Sequence, residues 1–225
     1  MIKGLVRTAI PLTAFAVGVA MFPVNWRKSA WTEKAPVHSN PEVVKAIEQT
    51  SLYQKLVQDP NFEFWSKNAT LPSQHQKNQV STGLMFGKDG FEIDPIGFMD
   101  KKNGKLVAYF HLGKNLTSAD GQIHNGVMAT ILDEGLCMAG FPLLPSKRGV
   151  TAKLAIDFHN QAPPGSTVKL EANVVEAKGR KVVIEGGVST INLTSPDKPG
   201  VTIATASCIL VEPKWFKYFN WLKLL

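Results

Sequence analysis

The spacing of hydrophobic positions changes twice along the chain. After a polar linker, apolar residues recur at helical intervals in "NPEVVKAIEQ" and again in "SLYQKLVQDP". Asn40 is predicted to be the N-cap, Pro41 falls in the first turn, and Asp59-Pro60 ends the helical pattern. Residues 67–79 are polar and loop-like. We therefore expect an accessory helical hairpin or arm here, rather than a catalytic unit.

From about Gly83 the pattern becomes that of strands. "GFEIDPIGFMD" and "GKLVAYFHLG" flank a turn-rich spacer at Asp100–Asn103, which predicts an antiparallel pair. Four more strands begin at Gly149, and "QAPPG", "AKGR" and "TSPDKPG" mark the turns between them. These predicted strands are "GVTAKLAIDFH", "STVKLEANVVEAKG", "RKVVIEGGVSTINL" and "GVTIATASCILVE". Consecutive strands without helices between them indicate an antiparallel sheet.

One long apolar run separates the two groups of strands. It extends from Asn125 to about Gly140 and is apolar around most of a helical circumference. A helix of this kind must be buried against the sheet. The predicted fold class is therefore α+β, with an antiparallel β-sheet wrapped around one long central helix and a helical extension at the N-terminus.

The N-terminal 33 residues have the character of a targeting or anchoring segment. Lys3 and Arg7 precede about 17 uncharged residues, Arg27 and Lys28 follow them, and no acid occurs before Glu33. This pattern favours a membrane anchor or a mitochondrial import signal over a secretory signal or a disordered arm. The tail, "WFKYFNWLKLL", is expected to dock on the sheet or to lie in a membrane interface. The expected division is 1–33 as the targeting or anchor segment, 34–80 as helical extension and linker, 81–212 as the main domain and 213–225 as the amphipathic tail.

Composition narrows the class of protein. A chain of 225 residues with 44% hydrophobic and 19% charged residues describes one folded domain rather than a disordered chain. The formal net charge is +7, but the lysines and arginines are scattered, so no nucleic-acid partner is expected. The two cysteines, Cys137 and Cys208, lie in apolar stretches, where a cysteine behaves as a small hydrophobe. They indicate neither a disulfide framework nor a metal site.

Two adjacent acids interrupt the apolar helix. Asp133 and Glu134 cannot both reach bulk water from a helix that is apolar on most of its surface. A buried carboxylate is costly unless it is paired, protonated or placed in a cleft. We expect the Glu134 side chain to face a polar rim or to form an ion pair with a lysine of a strand. Asp133 is the candidate catalytic acid, because its position relative to the first N–H groups of the helix suggests a role in a shared site.

The segment before this helix, "GQIHNG", has little helix propensity, so the helix is predicted to begin near Asn125 or Gly126. Its first N–H groups have no partners inside the helix and carry the positive end of the helix dipole, which can hold an oxyanion. Gly126 and Asp133 lie on nearly one face but about 10 Å apart along the axis, at about 1.5 Å per residue. One helix cannot offer both groups to one carbonyl carbon, whereas two antiparallel copies related by a two-fold axis can. We therefore expect a homodimer or higher homo-oligomer.

These features together resemble the hotdog-fold acyl-CoA thioesterases of the PaaI-like and mitochondrial thioesterase-superfamily type. The similarity rests on "HNG" with Asp133 nine residues after the histidine, on "GVTAKLAIDF" and on "VEAKGRKVVIEGGV", and it covers roughly residues 83–212. By this resemblance, His124, Asn125 and Gly126 correspond to the family's His-Gly-Gly motif, whose backbone amides polarise the thioester carbonyl. Asp133 corresponds to the acid on the central helix, which acts as general base or attacks directly.

The resemblance also assigns residues beyond the helix. Thr151 corresponds to the family's threonine at the start of the next strand. Arg180 and Lys181 correspond to the basic residues after a glycine turn that contact coenzyme A phosphates. Lys147 and Arg148, in a loop, are further cations that could meet phosphates. No cofactor and no metal are implied.

The predicted function is hydrolysis of fatty acyl-CoA in the mitochondrion, with membrane association through the N-terminal segment and inner-membrane association left open. Asn125 stands where the family usually has glycine, and one alternative is a hotdog protein that binds acyl chains or serves as an assembly factor without catalysis. Another is a hydratase, which would favour Asp and His side chains on one face. His124 and Asp133 are nine residues apart, on opposite sides if both were helical, which argues against that pair within one chain. Acyl-chain length and the choice between dimer and tetramer stay open.

Overall fold

The computed structural model describes residues 11–18, 40–66, 79–195 and 198–218. Most of the predicted N-terminal segment, the polar stretch 67–78 and the end of the tail lie outside the described residues, and residues 11–18 are helical. Within the described ranges, one helical stretch, Asn125–Leu143, is long and apolar enough to cross a membrane, and half of it is buried inside the fold. It is the predicted core helix.

Within the described residues after position 39, three α-helices and seven strands make up the fold. The helices are α1 (Pro41–Glu48), α2 (Ser51–Gln58) and α3 (Asn125–Gly140). The strands are β1 (Glu63–Ser66), β2 (Ile96–Asp100), β3 (Lys105–Leu112), β4 (Val150–Phe158), β5 (Ser166–Lys178), β6 (Lys181–Ile191) and β7 (Thr202–Val211). They form one antiparallel sheet in the order β1-β2-β3-β5-β6-β7-β4. The predicted β2–β3 pair and all four predicted strands after the helix are present.

Helix α3 packs on one face of this sheet and forms the main core. It begins at Asn125 and ends at Gly140, as predicted. A Cβ at Gly135 would lie 1.9 Å from Leu170 Cδ2, so this glycine lets the helix approach β5 closely. The fully buried side chains of this core include Met128, Ile131, Leu132, Leu136, Leu170 and Ile184. The α+β class and the hotdog arrangement predicted from the sequence are thereby confirmed.

The N-terminal arm covers part of the opposite face of the sheet. Val43 and Ile47 of α1 and Leu56 of α2 pack in a second core with side chains of β2 and β3, such as Phe98 and Tyr109. Because β3 alternates its side chains between the two faces, it contributes to both cores. The arm is therefore seated on the back of the sheet, away from α3.

The arm differs from the predicted segment in two respects. The helical run is not continuous to Asp59, because Thr50 adopts extended backbone angles and its Oγ1 accepts a hydrogen bond from the Tyr53 N–H at 3.2 Å, which starts a second helix. Strand β1 was not predicted. Its four residues form a strand by pairing with Ile96–Met99, a contact between segments that are distant in the sequence.

Candidate functional site

The start of α3 is capped by a histidine. His124 has φ −63° and ψ 133°, and its Nδ1 accepts a hydrogen bond from the Gly126 N–H at 2.8 Å. Because Nδ1 is an acceptor, the neutral ring carries its proton on Nε2. The Val127 N–H donates to the His124 carbonyl at 2.9 Å. Within the described residues, the Asn125 N–H has no acceptor, so the amides of the motif differ in availability.

Asp133 and Thr151, assigned separately from the sequence, meet in the structure. Thr151 Oγ1 donates a hydrogen bond to Asp133 Oδ1 at 2.8 Å. Thr151 is the second residue of β4, and the register of β4 on β7 shifts between Thr151 and Lys153. This bulge places Ala152 outside the regular pairing and lets Thr151 face the helix. Asp133 is half-buried and Thr151 is exposed, so the pair is open to a substrate.

Cys137 joins this pair, although its role was not predicted from the sequence. It follows Asp133 by one helical turn, and its Sγ lies 3.1 Å from Thr151 Oγ1. Cys208 of β7 is buried beside it in the same core. The hydrogen bond with Cys208 lowers the pKa of the Cys137 thiol in spite of burial, whereas that bond and burial raise the pKa of Cys208. The four-residue spacing from Asp133 was the available signal, because residues i and i+4 share a helix face.

Glu134, the second acid of the helix, lies in different surroundings from Asp133. Its Oε1 accepts a hydrogen bond from Ser81 Oγ at 2.9 Å, and Ser81 belongs to the π-helical turn Val80–Leu84. Its side chain borders a small apolar pocket together with Trp65 and Met138. Glu134 thus links the segment before β2 to α3, which agrees with a structural rather than a chemical role.

Glu212, just after β7, bonds to Arg180 of one predicted basic pair and to Ser146, which precedes the other pair in the chain. Arg180 Nη1 donates to the Glu212 carbonyl at 2.7 Å, and the Glu212 N–H donates to the Arg180 carbonyl at 2.8 Å. The buried Glu212 carboxylate accepts a hydrogen bond from the Ser146 N–H at 2.8 Å. Lys147 and Arg148 follow Ser146 directly. The loop that carries Lys147 and Arg148 and the β5–β6 turn that carries Arg180 are therefore held at the same end of the sheet.

This end of the sheet also carries the start of β4. Val150 of β4 pairs with Val211 of β7, and Val211 pairs in turn with Lys181 of β6. Lys181 is exposed, and its Nζ lies 3.9 Å from a carboxylate oxygen of Glu176. Lys181 therefore lies two strands away from Val150, at the same end of the sheet as the start of β4.

Strand β4 is an exposed edge of the sheet. Within the described residues its one strand neighbour is β7. Val150 and Phe158 are 49% and 43% exposed, while Leu154 and Ile156 are half-buried against the main core. An apolar edge strand with unpaired backbone groups is a surface for another strand. In one chain, the Asn125 N–H and Asp133 are eight residues apart, about 12 Å along the helix axis, so a single copy does not offer both to one carbonyl.

Comparison with known proteins relates the chain to a family of hydrolases. The sequence model of the thioesterase superfamily matches residues 120–194. This window contains α3, β4, β5 and β6, and with them Asp133, Thr151 and the basic hairpin. The matched region is thus the part of the chain that builds the candidate site.

Three relatives extend the comparison beyond this window. The chain is 57% identical to an uncharacterized mitochondrial protein of Candida albicans, with both chains covered in full. It is 36% identical to MIOREX complex component 3 of Saccharomyces cerevisiae, over 96% of this chain and 93% of that protein. It is 28% identical to acyl-coenzyme A thioesterase THEM4 of Rattus norvegicus, over 61% of this chain and 58% of that protein.

Proposed function

The chain belongs to the hotdog-fold thioesterase superfamily and is mitochondrial, and from this premise we propose that it hydrolyses fatty acyl-CoA to free acid and CoA. The observation that carries the proposal is the 2.8 Å hydrogen bond from Thr151 to Asp133 at the open edge of the sheet. The similarity to an acyl-coenzyme A thioesterase of rat supports the substrate class. The family match across both residues supports the reaction type.

In this proposal the active form is a homodimer joined along the two β4 edges. Pairing of the edges would cover Phe158 and the half-buried apolar residues of β4. A two-fold axis there makes the α3 helices antiparallel. The start of α3 in one subunit then lies near Asp133 of the partner subunit, which completes two equivalent sites.

The proposed reaction uses both subunits. The thioester carbonyl oxygen accepts a hydrogen bond from the Asn125 N–H at the positive end of α3, which stabilises the oxyanion. Asp133 of the partner subunit takes a proton from water, and the water oxygen attacks the carbonyl carbon. The tetrahedral intermediate collapses, the C–S bond breaks, and the proton that Asp133 took from water passes to the departing sulfur, so that CoA leaves as the free thiol. In a variant of this scheme, the Asp133 carboxylate itself attacks the carbonyl carbon in place of water.

Two further side chains assist in this scheme. Thr151 holds the Asp133 carboxylate in one orientation through its hydroxyl. His124 carries its ring proton on Nε2, because Nδ1 accepts from Gly126, and this N–H is a donor for the carbonyl oxygen or the departing sulfur. No metal or organic cofactor takes part.

The basic residues beside β4 are proposed to bind the phosphates of CoA. Arg180 already donates to the Glu212 carbonyl through Nη1, so its remaining donors and the exposed Lys181 supply the contact from the hairpin. Lys147 and Arg148 supply it from the loop that Glu212 holds nearby. The position of these residues at the end of the sheet where β4 begins supports the proposal.

The test compares two adjacent acids of one helix. The full chain is assayed against straight-chain acyl-CoAs from short to long, beside Asp133→Asn and Glu134→Gln. We expect Asp133→Asn to lower kcat by about 100-fold or more, an effect in the range of general base catalysis, and Glu134→Gln to keep turnover near that of the unchanged protein. Equal turnover by a folded Asp133→Asn variant would contradict the assigned role.

A second candidate function is acyl binding or assembly without hydrolysis. It is favoured by the relative named MIOREX complex component 3 and by Asn125 in place of the family's glycine. This candidate predicts that the folded dimer binds acyl-CoA but turns over no member of the panel. Measurable hydrolysis that depends on Asp133 would exclude it.

We also propose that residues 1–33 attach the protein to the inner membrane and that residues 81–212 form the catalytic domain. The described helix at residues 11–18 supports attachment, because Leu12 and Phe15 are 67% and 66% exposed. Removal of residues 1–33 behind a replacement import signal is expected to release the protein into the soluble fraction of disrupted mitochondria. Retention on the membrane would place the attachment elsewhere in the chain.

A further inference from the structure

Both cysteines of the chain lie beside the proposed catalytic pair. Cys137 is 7% exposed and Cys208 is fully buried, so neither is placed to contact substrate. Cys137 Sγ nevertheless lies 3.1 Å from Thr151 Oγ1, the atom that is bonded to Asp133. The proposed reaction does not use this thiol.

The direction of each hydrogen bond follows from a count of protons. The Thr151 hydroxyl has one proton and donates it to Asp133 Oδ1, because an ionised carboxylate only accepts. In the remaining contact, Thr151 Oγ1 must therefore be the acceptor and the Cys137 S–H the donor. The thiol proton thus points at Thr151, and the threonine proton points at Asp133.

Thr151 needs such a partner because its own strand does not fix its side chain. It is exposed, it lies on the edge strand, and it precedes the bulge at Ala152. We propose that Cys137 is a positioning residue, whose thiol holds the Thr151 hydroxyl in the rotamer that aims its proton at Asp133. This inference rests on the proposed thioesterase function.

The same three groups remain bonded after Asp133 has taken a proton from water. The protonated acid can then donate to Thr151 Oγ1, and the threonine hydroxyl can turn its proton to the sulfur of Cys137. Both contacts are kept in both states, with the Cys137 thiol as donor in the first and as acceptor in the second, when its own proton turns away from Thr151. Cys137 therefore supports the base before and after the proton transfer.

The kinetic test uses Cys137→Ala and Cys137→Ser in the full chain with the acyl-CoA panel. Loss of the donor in Cys137→Ala is expected to lower kcat roughly three- to tenfold, the effect of one neutral hydrogen bond. KM is expected to stay within about twofold, because the thiol does not reach the substrate. Cys137→Ser keeps a donor at this position and is expected to recover most of kcat.

A matched control separates positioning from core packing. Val188 is fully buried in the same core but pairs with Ala204, whereas Thr151 pairs with Leu210, six residues away along β7. Val188→Ala is expected to lower the thermal stability at least as much as Cys137→Ala and to leave kcat unchanged. A similar drop of kcat in both variants would overturn the inference in favour of a general packing effect.

The infrared S–H stretching band tests the bond without any turnover. Cys137→Ala identifies the band by its loss, and Thr151→Val removes the acceptor. We expect the Cys137 band to move to higher frequency in Thr151→Val, because a hydrogen-bonded S–H absorbs at lower frequency. An unmoved band, or an unchanged kcat in Cys137→Ala, would overturn the inference and leave the thioesterase proposal standing if Asp133→Asn is inactive. If the protein without any substitution showed no turnover, both this inference and the thioesterase proposal would be overturned.

Discussion

At the scale of single residues, one backbone amide at the start of α3 differs from its neighbours in what it bonds. The Gly126 N–H is taken by the His124 ring and the Val127 N–H by the His124 carbonyl, while within the described residues the Asn125 N–H has no acceptor. In the proposed reaction, the oxyanion contact therefore falls to Asn125, the residue at which the chain departs from the family's glycine. A backbone donor survives that departure, because asparagine keeps its N–H.

The first prediction concerns Asn125→Pro, a substitution that removes this N–H, with Asn125→Ala as the control for loss of the side chain. His124 already has the extended backbone that a residue before proline requires, and proline is favoured in the first helical position, so Asn125→Pro is expected to fold. We expect its kcat to fall by about 100-fold or more, the effect of losing one oxyanion donor, while Asn125→Ala keeps most activity. Steady-state kinetics on the panel measure both variants. A fully active Asn125→Pro would place the oxyanion contact elsewhere.

The second prediction concerns the buried His111. Its Nδ1 lies 2.9 Å from Thr167 Oγ1, and burial lowers its pKa, opposed in part by the Glu92 carboxylate 3.6 Å from Nε2. The unfolded chain binds this proton near pH 6.5, and the folded chain binds it only at lower pH. The histidine's contribution to the free energy of unfolding is therefore complete above about pH 6.5 and is lost as the pH falls below it.

Thermal unfolding between about pH 7.5 and pH 5 checks this sign. We expect Tm to fall towards acid in the unchanged protein and to fall less in His111→Asn, which keeps a polar partner for Thr167. Parallel slopes in the two proteins would assign the acid sensitivity to other groups.

At the scale of elements, the contact between α3 and β5 depends on the missing side chain of Gly135. Gly135→Ala is expected to lower the free energy of unfolding by up to about 2 kcal/mol, because overpacking costs about 1–3 kcal/mol and helix propensity returns about 1 kcal/mol. The clash is with Leu170 Cδ2, so Leu170→Val should cost less in the Gly135→Ala background than alone. Denaturant unfolding of the four proteins measures this coupling. Strictly additive losses would contradict the contact.

Elements with a regular pattern could be predicted from the sequence, and those fixed by distant contacts could not. The alternating strands and the all-round apolar helix follow from local periodicity. Strand β1 has four residues and exists through its pairing with β2, and the break before α2 depends on the cap at Thr50. Local sequence does not indicate the pairing of β1, whereas the cap at Thr50 is a local signal that the apolar periodicity does not carry.

The candidate site shows the same division. The Asp133–Thr151 pair was assigned through the family resemblance, but its meeting depends on a bulge in β4 that no spacing indicated. For Cys137, the apolar surroundings in the sequence predict a small hydrophobe. Its contact with Thr151 arises from the packing of α3 on β4, which is a tertiary feature.

At the scale of the whole molecule, the proposed site requires two copies of the chain. Phe158→Lys places a charge on the exposed apolar side of β4 and is expected to shift the dimer towards monomer and to lower turnover in proportion. Val175→Lys is the matched control, because Val175 is 51% exposed on β5 and lies away from this edge. Sedimentation and turnover are measured on both variants. A monomer with full turnover would contradict the shared site.

The strand order also determines when the site can form. β4 pairs with β7, yet β5 and β6 lie between them in the chain. A chain that emerges N-terminus first from a ribosome or a translocation channel can pair β2 with β3, and then β3 with β5 and β5 with β6, as each strand emerges, while β4 waits for β7. Thr151 therefore reaches its place beside Asp133 last. A chain that stalls before β7 has most of its sheet but lacks the proposed site, and its unpaired β4 is a surface for aggregation and for chaperone binding.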